Sequence, residues 1–235
     1  MNKAFKKQQE NCLWDYYKVG NVSYDISLKS EFPLVFPLPT TFTPPKHLCD
    51  FEQAITLANK GLDVSEYGVH FYMPDRDLIR FYLNFDEYLP LLKLFPCVLT
   101  LDLSLTSAMP TFIKKEAVFR SRQIGQLMQK AGITVPITLQ WEDETTYDFC
   151  FCDIPSHSVV SISTVGIAKK SKDSPERIAF QKGFQEAMKR IQPRFVLHYG
   201  AVVPECEYGD TEYKVYRNSH FLIDQFQNGK EDNNG

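Results

Sequence analysis

The stretch CVLTLDLSL, residues 97–105, decides how this chain is read. Side chains alternate along an extended backbone, so Leu99, Leu101, Leu103 and Leu105 share one face, and Thr100, Asp102 and Ser104 share the other. A parallel strand covered by helices on both sides is close to a continuous apolar run, and this one is not. Outward from it the alternation recurs. Val69 and Phe71 oppose His70 and Tyr72, Ile137 and Leu139 oppose Thr138 and Gln140, and Val160 and Ile162 oppose Ser161 and Ser163. One face of each strand is predicted to meet helices. The other face, with Thr100, Asp102, Thr138, Gln140, Ser161 and Ser163, converges on a polar interior.

β-branched and aromatic runs predict strands over 68–72, 97–105, 134–141, 158–164 and 195–200, and helices fall between them at about 51–60, 76–83, 86–95, 111–131 and 175–191. Ser174 is placed to cap the last helix with Pro175 at its first position, Pro193 lies just past its end, and Gly132 stops the helix of 111–131. Strand alternating with helix over short links gives right-handed crossovers and a largely parallel sheet of about five to six βα units. The expected fold is α/β and barrel-like, complete or partial, with an open sheet lining a cleft as the alternative. In either architecture ligands sit at the C-terminal ends of the strands. A single domain is expected, made of an extended arm (1–45), a core (46–226) and a frayed polar tail (227–235). Within the arm, FPLVFPLPTTFTPP carries five prolines.

At 235 residues, 43% apolar, 14% aromatic and 23% charged, the chain can bury a full core, which excludes global disorder. A net charge of −3 and a pI near 6.0 supply no overall field for nucleic acid or an anionic membrane. The opening MNKAFKKQQENCLWDYY has no apolar run behind its lysines, and no later stretch is long and apolar enough to span a bilayer, so a cytoplasmic protein without membrane contact is expected. Six scattered cysteines are read as reduced thiols. Cys150 and Cys152, with His157 nearby, are the one spacing that hints at metal. Read as extended, TYDFCFCD puts Asp148, Cys150 and Cys152 on one face, but a single weak pair falls short of a structural zinc set, so no metal or cofactor is expected.

Asp102 is the sharpest candidate for chemistry, a carboxylate at a strand end backed by leucines, which must be paired, hydrogen-bonded or protonated. Arg120 is its expected partner, because Ile113, Ala117, Arg120, Ile124, Leu127 and Ala131 form one helical stripe facing the sheet. With Arg122 it alternatively makes an anion clamp. His70 and His198 are candidate acid–base groups if they reach the same pocket. Ser104 and Ser163 supply hydroxyls, and Gln140, Trp141 and Tyr72 are placed to hydrogen-bond to or stack on a flat ligand. Lys114, Lys115, Lys169, Lys170 and Lys172 are basic spots near the strand-end rim. With Tyr72, Trp141 and Tyr199 they would suit phosphate-bearing ligands or single-stranded nucleic acid if they converge. No Walker A, G-x-G-x-x-G, H-E-x-x-H, EF-hand or G-x-S-x-G motif is present.

The ordered blocks GVHFYMPD, LDLSLTSAMP, FRSRQIG, AGITVPITLQW, SVVSISTVG and HYG, spanning about residues 30 to 205, resemble the bacterial and phage domain-of-unknown-function family four-four-one-seven. The resemblance implies a phage or mobile-element setting, with a host cytoplasm as the compartment, and implies no mechanism. Where that family tends to show a Pro-Asp-Phe-Ser-like block, this chain has Leu101-Asp102-Leu103-Ser104, which keeps Asp and Ser and loses Pro and Phe. Arg120 and Arg122 fall on its R-x-R, and Trp141 on its tryptophan block. Two function classes follow. One is a pocket for a small anionic or nucleotide-like ligand, with or without hydrolysis, marked by Asp102, His70 and Arg120 in one deep pocket. The other is a non-enzymatic phage or mobile-element accessory that binds nucleic acid or a host protein, marked by an external basic or apolar patch and an interior closed by side chains.

Overall fold

The computed structural model describes residues 25–217, so the first 24 residues of the arm with Cys12, and the tail of 227–235, lie outside the described residues. In chain order the elements are β1 (His47–Asp50), α1 (Phe51–Asn59), β2 (Tyr67–His70), α2 (Asp75–Leu83), α3 (Phe85–Leu92), β3 (Cys97–Val98), α4 (Thr111–Lys130), β4 (Ile137–Thr138), α5 (Tyr147–Cys150), β5 (Val159–Ser163), α6 (Pro175–Ile191), β6 (Phe195–Tyr199) and β7 (Glu212–Tyr216). The strands form a three-stranded sheet, β1-β2-β3, and a four-stranded sheet, β4-β5-β6-β7, and every pairing is parallel. At the end of β3 and just beyond it, the amides of Val98 and Thr100 donate to the carbonyls of Thr134 (3.0 Å) and Pro136 (3.2 Å) ahead of β4, joining the two sheets. At the other edge Lys214 Nζ and the Tyr216 hydroxyl donate to the Pro45 carbonyl (2.7 and 2.9 Å), bringing the last strand beside the chain that enters the first.

This is the parallel α/β architecture the alternation predicts, laid out as two parallel sheets. Leu48, Leu99, Val159, Leu197, Tyr199 and Tyr216, from both sheets, pack against one another in the interior. The outward faces build two separate cores. Val69, Phe71 and Val98 lie with residues of α1 to α4, and Ile137, Val160, Ile162 and Val196 lie with Phe180, Phe184 and Ala187 of α6. The arm crosses this body as an irregular strap. Leu38 and Phe42 pack on the interior cluster, Phe32 and Val35 join the α6 core, and Gln126 and Gln129, one turn apart on α4, hydrogen-bond to the backbone of Asp25, Leu34 and Phe36.

Local rules account for most element ends. Ser174 caps α6 by accepting the Arg177 amide (3.3 Å), Pro175 stands at its first turn, and Gly132 adopts φ +88° just past α4. β1 and β7 were not expected. HLCD is only four residues long and runs straight into α1 through a capping box, in which Asp50 accepts the Gln53 amide (2.8 Å) and Gln53 accepts the Asp50 amide (3.1 Å). Asp50→Ala is expected to lower stability by about 1 kcal/mol, read from the chemical-denaturation midpoint. An unchanged midpoint would mean that packing alone holds α1.

The strand at 97–105 is shorter than its alternation suggests, and its parity slips. Leu99 turns inward to the interior cluster. Thr100 faces α4 instead of the interior, its Cγ2 lying 2.6 Å from where a Cβ on Gly125 would stand. Leu101 then packs outward and regular pairing has ended. TYDFCFCD is not extended either. Residues 147–150 form the short helix α5, so Asp148, Cys150 and Cys152 do not share a strand face. Cys150 is buried in the α6 core, where desolvation pushes its thiol up to about 12. The five described cysteines carry free thiols.

Candidate functional site

β2 and its continuation place Gly68, His70 and Tyr72 on the inner face, as alternation requires. At the C-terminal end of the strands the Tyr72 hydroxyl hydrogen-bonds to Ser161 of β5 and its ring stacks on Tyr199 of β6 (5.2 Å between centroids, 19°). Ser161 pairs in register with Thr138, whose hydroxyl donates to the Thr100 carbonyl at 2.9 Å. His70 is fully buried, with its ring 4.1 Å from that of Tyr199. Its Nδ1 accepts the Tyr72 amide at 3.2 Å, which leaves the ring proton on Nε2, where no acceptor is present. Burial lowers the His70 pKa to about 3, so the ring stays neutral at physiological pH.

Asp102 stands at the rim of this inner cluster. Desolvation first, and the charge of Asp75 second, push its carboxyl up to about 7, and it has no hydrogen-bond or ion-pair partner among the described residues. Its own charge helps to raise the Tyr72 hydroxyl, whose main cause is burial. Asp75, in the first turn of α2, accepts from both the amide (3.1 Å) and the hydroxyl (2.9 Å) of Ser104. The sequence neighbours of Asp102, Leu101 and Leu103, line an apolar cleft of about 360 Å³ between α2, the 101–109 loop and the start of α4, while Asp102 itself is not part of the lining.

The cleft explains the stripe on α4. Ile124 and Leu127 reach the core, but Ile113, Ala117 and Arg120, in the N-terminal half, line the cleft and do not face the sheet. Arg120 does not pair with Asp102. Its Nε and Nη2 donate to Glu116 Oε1 at 2.9 and 2.6 Å, and its guanidinium lies 4.5 Å over the Tyr82 ring. Glu116, Tyr82 and Asp75 are contributors that sequence reading missed. A Glu four residues before an Arg on a helix was the signal available for the first.

The other candidates are structural. Arg122 is no anion clamp: it is buried, donating to the Cys150 carbonyl at 2.8 Å and the Phe149 carbonyl at 3.4 Å at the end of α5. Trp141 is no stacking platform, since it packs between Phe151 and Phe180 over Gly183. His198 does not join His70. It lies on the opposite face of β6, bonded to the Tyr208 and Thr164 hydroxyls. Gln140 donates to the Leu103 carbonyl at 2.5 Å, and Ser163 accepts the Val165 amide at 3.2 Å. The lysines do not converge: Lys114 is buried on Glu142 (2.6 Å), Lys170 pairs with Glu176 (2.8 Å), and Lys169 and Lys172 are simply exposed.

Fold and site together define a parallel α/β protein of two sheets whose polar residues gather at the strand C-termini beside an apolar cleft. The model of the domain of unknown function DUF4417 matches residues 24–217, and the chain belongs to that family. It is similar to the Gene 1 protein of Mycobacterium phage D29, 36% identical over 137 residues that cover 58% of this chain and 50% of that protein. The Gene 1 protein of Mycobacterium phage L5 is 35% identical over 133 residues, 57% of each chain. The chain thus spans about half the length of the curated relatives it matches. No helix among the described residues is long and apolar enough to cross a membrane.

Proposed function

We propose that this protein binds a small anionic or nucleotide-like ligand at the C-terminal ends of its parallel strands, with or without hydrolysis, in the cleft beside Asp102. The observation that carries the reading is the Asp102 carboxyl, recessed, without an ionic partner among the described residues and raised to about 7, flanked in sequence by two leucines that line a cleft of about 360 Å³. Perturbed carboxyls beside apolar clefts of roughly 300–1,000 Å³ are characteristic of ligand sites. Near neutrality Asp102 can donate a hydrogen bond to an anion when protonated and accept a proton when ionised, which suits acid–base work.

Native mass spectrometry of protein purified from cells tests this. A small-molecule adduct is expected on the wild type and not on Asp102→Asn. An adduct kept by the variant would remove Asp102 from the site, and bare protein in both samples would count against a retained ligand. A second reading, a phage or mobile-element accessory that docks a host protein, draws on the exposed apolar residues Ile79 (57%), Leu83 (65%) and Phe112 (69%), and on the side chains that fill the interior. Nucleic acid is supported less, because Tyr72 and Tyr199 stack on each other and Trp141 is part of the core.

A further inference from the structure

The described part of the arm opens as a short hairpin laid against α4. Ile26 and Pro33 pair across it, and the amides of Ser27 and Leu34 donate to the carbonyls of Phe32 (2.9 Å) and Asp25 (3.0 Å). At its turn Ser27 Oγ accepts the Lys29 and Ser30 amides, both at 3.3 Å. The Ser30 hydroxyl donates to the Asp153 carboxylate, and Gln126 of α4 holds the carbonyls of Asp25 and Leu34, so the hairpin is fixed at tip and base. Between it and the first turns of α4 runs a groove of about 440 Å³, with Phe32 and Phe119 among its walls and Glu31 and Lys115 as opposite charges on it. Phe112, on the same groove, is 69% exposed, and Leu28 at the tip of the turn stands fully in solvent. An apolar hollow and a projecting aromatic ring thus adjoin on one rigid surface. Glu31 and Lys115 are exposed, and neither has an ionic partner among the described residues. Glu31 also holds φ +64°, a left-handed conformation that glycine or asparagine adopts at lower cost, so a carboxylate is kept on the rim against the backbone preference.

We propose that this face docks a second copy of the chain about a two-fold axis. A two-fold contact uses the same patch on both partners, so the patch must carry a knob and also the hole that receives it. Phe112 is the knob and the groove beside it the hole, and each copy's ring enters the other's groove against Phe32 and Phe119. The same axis sets Lys115 of each copy against Glu31 of the other, which gives both rim charges the partner they lack within the chain. A rim with one exposed charge of each sign matches itself, whereas a uniformly basic or acidic partner would meet a repelling charge. The contact is separate from the cleft beside Asp102 and does not depend on the reading of that cleft.

Sedimentation and native mass spectrometry of the full chain, alone and in mixtures, test this. Wild type is expected to form a concentration-dependent dimer, and Phe112→Ser to weaken it by about tenfold or more, as for an aromatic anchor in a pocket. Lys115→Glu and Glu31→Lys each place two like-charged pairs in the contact and should weaken self-association several-fold. Mixed with each other, these two variants should form a one-to-one heterodimer of wild-type strength, because both pairs are restored with their signs exchanged. Wild type that stays monomeric up to about 1 mM would overturn the proposal and leave the exposed ring to a different protein. A dimer that Phe112→Ser leaves unchanged would place the contact elsewhere and overturn it too. So would charge variants that show no preference for each other in the mixture. All three substitutions fall at exposed positions, so none of these comparisons depends on a variant with a disturbed core.

Discussion

Asp102→Asn is expected to raise the melting temperature at pH 8 by several degrees and to leave it nearly unchanged at pH 4. Burial and the Asp75 charge lift the carboxyl from its ordinary value near 4 to about 7 in the folded protein. The raised pKa means that the folded state holds this proton more tightly than the unfolded chain does. Stability from the group is therefore fully present below about pH 4, falls as pH rises through the window to about 7, and is flat above it. The full difference corresponds to at most about 4 kcal/mol, and water at the partly open rim reduces it to about 2 kcal/mol. An amide has no such cost, so the variant should lose the slope between pH 4 and pH 7 and melt higher above it, by about 5 °C for a chain of this size. A buried pair with Arg120 would require the opposite, a loss of about 3–5 kcal/mol on substitution. Melting curves at pH 4, 6 and 8 separate the two, and a large drop at pH 8 would show that Asp102 has an ionic partner in solution.

Gly183→Ala is expected to cost about 2 kcal/mol or more, even though alanine is the better helix former by about 1 kcal/mol. A Cβ at this position in α6 would lie 2.0 Å from Trp141 Nε1 and 2.1 Å from Cδ1, and the indole is held by Phe151 and Phe180 and has little room to retreat. Either α6 moves off the β4–β5 sheet or the ring leaves the core. Combining Gly183→Ala with Trp141→Leu should recover part of the loss, a coupling readable in a double-mutant cycle by urea denaturation. Additive losses would mean that the glycine answers to some other constraint. The pair also explains why Trp141, at the end of β4 where a stacking residue would be useful, is not available to a ligand.

Alternation in β2, β4 and β5 was enough to assign faces correctly. His70, Tyr72, Thr138 and Ser161 all lie inward, because a period of two depends on the backbone alone. The same reading failed at 97–105. There the strand ends after Val98, and two bulky contacts, Thr100 against Gly125 and Leu99 against the interior, shift the phase by one residue. It failed again at TYDFCFCD, where alternation of Phe and Cys fits a buried helical turn as well as a strand, and the Arg122 guanidinium donates to the carbonyls of that turn. Likewise the Arg120 stripe pointed to the sheet, but in the N-terminal half of α4 it is Val118 and Ser121 that face inward, so Ile113, Ala117 and Arg120 line a cleft instead.

By itself the sequence determined the α/β class, the parallel pairing, the N-cap of α6 and the stop after α4, and Asp102 as the carboxyl without a local answer. These follow from periodicity, capping chemistry and the cost of desolvating a charge, all of which act within a few residues along the chain. Tertiary structure alone decided which charges meet. Arg120 goes to Glu116, Arg122 to the end of α5, and His198 to Tyr208 and Thr164, while Asp102 is left beside Asp75. The reason is that Coulomb and hydrogen-bond energies depend on distances of a few ångströms between elements. Those distances are set by how α2 and α4 lean on the sheet, a packing outcome that no local pattern encodes.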